Sequence, residues 1–106
     1  MKVGILVCSD DSEAIWNGLR FGNFALSMGD EINVFFMGKG VEFESLDTNK
    51  FNLTEQWQAL INGGGNIFAC GTCLDIHRLK ASEIYKVATM NDLYTIVRES
   101  DKVITF

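Results

Sequence analysis

The chain has 106 residues, 47% of them apolar, and a formal net charge of −5. That size and apolar share suit one domain with its own core, and the nine Lys and Arg residues are too scattered to form a phosphate-tracking surface, so nucleic acid is not an expected partner. Self-association is expected, because a domain this small buries only about two thirds of the surface its unfolded chain exposes.

The opening run KVGILVC, Lys2 to Cys8, is nearly continuous in aliphatic residues, the pattern of a strand buried on both faces of a parallel sheet. One Lys and so short an apolar run make neither a signal-peptide core nor a membrane span, so a cytoplasmic, membrane-free protein is expected. A helix should follow from about Ser12 to Met28. Asp10 and Glu13 stand at capping-box spacing, and Ile15, Leu19, Gly22 and Leu26 recur at helical spacing. Gly18 and Ala25 widen that stripe with small side chains, and Gly29 ends the helix. EINVFFMG reads as the second strand, completing a unit of the length a right-handed parallel crossover needs. KGVEFESLDTNKFN has no clear period and reads as irregular. A second helix then starts at Leu53, with Leu53, Trp57, Leu60 and Ile61 on one side, and stops at Gly63 to Gly65. NIFAC is the third strand, GTCLDIHRL turns into a short helix, and Ile84 to Val87 is the fourth strand. Thr89 and Asp92 open the last helix at capping-box spacing, and KVITF closes the chain as a strand. This alternation gives a doubly wound α/β layer fold.

In open parallel sheets, reactive groups gather beyond the carboxyl ends of the strands. Three segments fall there: Cys8-Ser9-Asp10, Gly38-Lys39-Gly40, and Cys70-Gly71-Thr72-Cys73. Three cysteines in a chain without a secretion signal point to free thiols rather than a disulfide scaffold. A thiol at a helix start lies among unsatisfied backbone N–H groups that stabilise its thiolate and make it a better leaving group from a second sulfur, which suits sulfur transfer as well as disulfide exchange. The alternative is structural: Cys70 ends a buried strand as a small hydrophobe and Cys73 packs under the helix. A zinc site needs about four ligands, and beyond the two close thiols only Cys8 and His77 are on offer, so no metal is expected, and no cofactor either. A thioredoxin-like oxidoreductase shares the C-G-x-C sequence, but its motif is backed by a cis-proline and this chain has no proline. His77, four residues after Cys73, would share a helix face with it and could exchange a proton near a thiol; the alternative is a plain surface histidine. Gly38 to Gly40 lack phosphate-loop spacing and read as a flexible turn, Asp10 and Asp11 as helix-start residues, and Trp16, Trp57, Phe35 and Phe36 as core or subunit-interface residues.

Taken together, ACGTCLDIHRL after an apolar strand, the first helix LRFGNFALSMG and the closing DLYTIVRESDKVITF resemble the small DsrE/DsrF-like proteins over nearly the whole chain. The resemblance implies a single domain over residues 1–106, a flavodoxin-like three-layer α/β sandwich with a mostly parallel five-stranded sheet. It also implies homotrimers or hexamers and sulfur relay between donor and acceptor proteins, a sulfurtransferase-like activity. Cys70 matches the cysteine that carries a persulfide in such relatives, and Cys73 matches a second cysteine found in a subset of them, able to resolve or hold that sulfur. Gly71, Thr72, His77 and Arg78 would surround the bound sulfur. The sequence departs from the pattern at one place: relatives often read Arg-Gly after C-L-D and one residue, where this chain has His77 and Arg78. The rival reading is a non-catalytic oligomeric assembly or small-ligand-binding subunit with structural cysteines.

Overall fold

A computed structural model describes residues 1–106. Its elements run in the expected alternation: β1 (Lys2–Val7), α1 (Ser12–Ser27), β2 (Glu31–Phe36), a 3-10 helix (Gly38–Ser45), α2 (Leu53–Asn62), β3 (Asn66–Cys70), α3 (Gly71–Ile76), β4 (Lys86–Ala88), α4 (Met90–Glu99) and β5 (Lys102–Thr105). All five strands are parallel, in the order β4-β3-β2-β1-β5. The chain steps across the sheet from β1 to β4, then returns through α4 to the far side of β1.

Side chains alternate along each strand, so the sheet has two apolar faces. On one, Val3, Ile5 and Val7 of β1, Ile32, Val34 and Phe36 of β2, and Ile67 and Ala69 of β3 meet Ile15, Leu19, Leu53 and Leu60 from α1 and α2. On the other, Phe35, Cys70 and Ala88 meet Ile96 of α4. The first face is the larger core, covered by two helices. Gly22 permits the close seating of α1, since a Cβ there would lie 3.0 Å from a Leu60 methyl and 3.2 Å from one of Ile5.

Three local expectations are corrected. Asp11, not Asp10, caps α1: its carboxylate accepts the Ala14 N–H at 2.9 Å, while its own N–H is held by Ser9 Oγ, so the Asp10 and Glu13 capping box does not form. The segment after β2 is an ordered 3-10 helix, because Val41 and Phe43 are buried and the Phe43 ring stacks on Phe36 with centroids 3.8 Å apart. Burying such a ring contributes about 1.5–3 kcal/mol, enough to order a segment whose polar positions show no period. β4 begins later than Ile84, because Tyr85 turns into the core against Phe43 and the ladder to β3 starts at the Phe68–Lys86 pair. At α4 the expected capping box is present, with the Thr89 side chain accepting the Asp92 N–H and the Asp92 carboxylate accepting the Thr89 N–H at 2.7 Å.

Candidate functional site

The sheet register sets the site. Val7 pairs with Phe36 and Phe36 with Ala69, so the next residue of each strand, Cys8, Met37 and Cys70, forms a row at the carboxyl edge. The Cys8 N–H donates to the Phe106 carbonyl at 3.0 Å, which fixes the end of β1.

Cys70 is the N-cap of α3 and is 5% exposed, packed with Phe35, Ala88 and Ile96 on the α4 face. Its sulfur accepts the Cys73 N–H at 3.5 Å. Of the backbone donors expected around Cys70, the Cys73 N–H is the one aimed at its sulfur. Cys73 is half-buried, and its sulfur accepts the Gly38 N–H at 3.2 Å. Each sulfur of the pair therefore has a backbone donor. Desolvation pushes the Cys73 thiol above the ordinary thiol range, and the neighbouring Cys70 and Cys8 push the same way; the Gly38 hydrogen bond opposes them by stabilising the thiolate. Cys8 is exposed, and partial desolvation raises its pKa too. All three cysteines are free thiols.

The expectation of a flexible turn at Gly38 to Gly40 is overturned. Met37 N–H continues the β1–β2 ladder onto the Val7 carbonyl at 3.0 Å, and the chain then folds back so tightly that a Cβ on Gly40 would fall onto that same carbonyl oxygen. Gly38 holds a left-handed φ of 56° beneath the Cys73 sulfur. The 3-10 helix is fastened at its carboxyl end and in its middle: Ser12 Oγ donates to the Leu46 carbonyl at 2.6 Å, and His77 Nδ1 lies 3.0 Å from Glu42 Oε1.

His77 caps the carboxyl end of α3, and its ring is paired with Glu42 rather than with a thiol. Gly71 packs under β4, where a Cβ would lie 3.1 Å from Val87, and Thr72 is exposed on the first turn of α3. Arg78 is exposed, forms no ion pair, and adopts φ 57°, in the left-handed region that favours glycine. The turn thus keeps a glycine-like shape with an arginine in it. No three His, Cys, Asp or Glu side chains are arranged to hold a metal ion, and no helix is long and apolar enough to cross a membrane.

Sequence reasoning found the thiols but missed two partners, the Gly38 N–H and Glu42. The available signal was Val41 and Phe43 alternating in an otherwise polar stretch, which marks it as packed on the core rather than free.

The DsrE/DsrF-like family model matches residues 1–106. The chain is 34% identical over 100 residues to the uncharacterized protein MJ0989 of Methanocaldococcus jannaschii, covering 89% of this chain and 88% of that protein. It is 33% identical over 100 residues to the uncharacterized protein MK0008 of Methanopyrus kandleri, covering 89% and 83%. Among solved structures, the ychN protein from E. coli is similar with a TM-score of 0.81 and 21% identity over the whole of both chains, a likeness of fold.

Proposed function

The chain belongs to the DsrE/DsrF-like family, and on that premise we propose that it is a sulfur-relay protein that holds a sulfane sulfur as a persulfide at the Cys70–Cys73 pair and hands it to a partner protein. One observation carries this reading: Cys70 Sγ accepts the Cys73 N–H and Cys73 Sγ accepts the Gly38 N–H, so two free thiols one helical turn apart each have a donor able to stabilise an anionic sulfur. Cys70 takes the sulfur when its thiolate attacks the outer sulfur of a small persulfide or polysulfide donor, the donor leaves as its own thiolate, and Cys73 takes the sulfur on from Cys70 by the same exchange. Cys73, less buried, is the first of the pair that an incoming thiol meets. Thr72 and Gly71 form the turn between them, and the paired His77 and the unpaired Arg78 set the charge at the far end of α3.

The working unit is an oligomer. Met90, Tyr94 and Val97 line an exposed stripe of α4, and a single helix covers that side of the sheet. Covering such a stripe with a second copy is what a domain this small gains most from.

The purified protein is treated with sodium polysulfide and its cysteine peptides are mapped by mass spectrometry. A gain of one sulfur on Cys70 or Cys73 is expected, and it should disappear when both are replaced by alanine. Persulfidation of neither residue would end the relay reading. Light scattering tests the assembly, and a monomer at micromolar concentration refutes that part.

A further inference from the structure

The exposure of the three thiols falls in order across the carboxyl edge: Cys8 is exposed, Cys73 half-buried and Cys70 buried. A sulfur stored on Cys70 is thus out of reach of a protein-sized acceptor, and Cys73 is only partly reachable. Gly38 joins Cys8 to the inner pair. Its N–H donates to Cys73 Sγ at 3.2 Å, and a Cβ built on it would lie 3.7 Å from the Cys8 carbonyl oxygen, so Gly38 lies between the Cys8 backbone and the Cys73 sulfur with no side chain of its own in the way.

We propose that Cys8 is the exit thiol of the relay, taking the sulfane sulfur from Cys73 and presenting it at the surface to the acceptor protein. This rests on the sulfur-relay reading above. The Cys8 thiolate attacks the outer sulfur of the Cys73 persulfide. A bond forms between Cys8 sulfur and that sulfur, the bond to Cys73 sulfur breaks, and its electron pair stays on Cys73. Cys73 then takes up the proton that Cys8 gave up, so a thiol and a persulfide stand on each side and nothing is oxidised or reduced overall. The exchange is the same reaction in both directions, so the sulfur can pass back and forth until an acceptor removes it.

The test loads the full chain with a limiting amount of sodium polysulfide, removes the excess, and follows the sulfur by timed alkylation and peptide mapping, with the free thiol of serum albumin as a bulky acceptor. In the wild type, sulfur should appear on the inner pair and then on Cys8. In Cys8→Ser it should stay on the inner pair, and delivery to albumin should slow by on the order of tenfold, as expected when the accessible attacking thiol is lost. The Cys70→Ala/Cys73→Ala variant should load Cys8 much more slowly than the wild type. Sulfur on Cys70 or Cys73 that never reaches Cys8, with delivery unchanged in Cys8→Ser, overturns the exit role and leaves the relay reading standing. Equally fast loading of Cys8 without the inner pair overturns it as well, as does formation of a Cys8–Cys73 disulfide with release of sulfide. No sulfur on any cysteine overturns both readings.

Discussion

Replacing Gly40 with alanine tests whether the 3-10 helix holds the Cys73 environment. Gly40 is buried, its N–H donates to the Met37 carbonyl at 3.0 Å, and a Cβ there would fall onto the Val7 carbonyl oxygen, which itself accepts the Met37 N–H. That contact is backbone, not the tip of a flexible side chain, so either the end of β1 or the 3-10 helix must move. Overpacking of this kind costs about 1–3 kcal/mol. For a domain near 100 residues that corresponds to a fall in Tm of roughly 4–24 °C. Moving the 3-10 helix also lengthens the Gly38 N–H to Cys73 Sγ hydrogen bond, the one local influence that lowers the Cys73 pKa. The Cys73 thiol in Gly40→Ala should therefore titrate higher than in the wild type. Urea denaturation gives the stability, and the pH dependence of iodoacetamide alkylation at Cys73 gives the titration. Lys39→Ala, an exposed neighbour, should leave both unchanged. A Gly40→Ala protein with wild-type stability and an unshifted alkylation profile would refute the coupling between the turn and the thiol.

Arg78→Gly should raise stability by about 0.5–1 kcal/mol, because relief of a left-handed backbone cost outweighs the extra freedom glycine gives the unfolded chain; a lower thermal midpoint would contradict that balance. Thr89→Ala removes the side chain that accepts the Asp92 N–H, one arm of the α4 capping box, and should cost about 1 kcal/mol in urea denaturation. The thiols add a pH dependence. Cys8 and Cys73 hold their protons more tightly in the folded chain than in the unfolded one, so their contribution to stability is full below the ordinary thiol pKa and is lost as pH rises through the raised folded values. Stability followed from neutral into alkaline pH should fall less steeply in Cys73→Ala than in the wild type, and parallel curves would count against the desolvation of Cys73.

The strand and helix sequence was legible because each element carries its period locally: aliphatic runs for β1, β2 and β3, spaced apolar residues and caps for α1, α2 and α4. The family resemblance was legible for a related reason, since the C-G-T-C-L-D segment and the elements flanking it are contiguous in the chain. The Asp10 box failed for a reason equally local. Two adjacent aspartates both fit the start of α1, and only the turn held by Ser9 selects Asp11.

What tertiary structure alone decided is which residues meet. Parallel register brings Cys8 and Cys70 into one row although 61 positions in the sequence lie between them, and no local pattern encodes that pairing. The 3-10 helix exists because Phe43 finds Phe36 and Tyr85 to pack on, which places Gly38 under the Cys73 sulfur and Glu42 beside His77. The sequence by itself determined the elements and the presence of a thiol pair at a strand end. The unequal burial of the thiols and the donors aimed at two of them come from packing across strands, an interaction between distant segments that a single stretch of sequence does not contain.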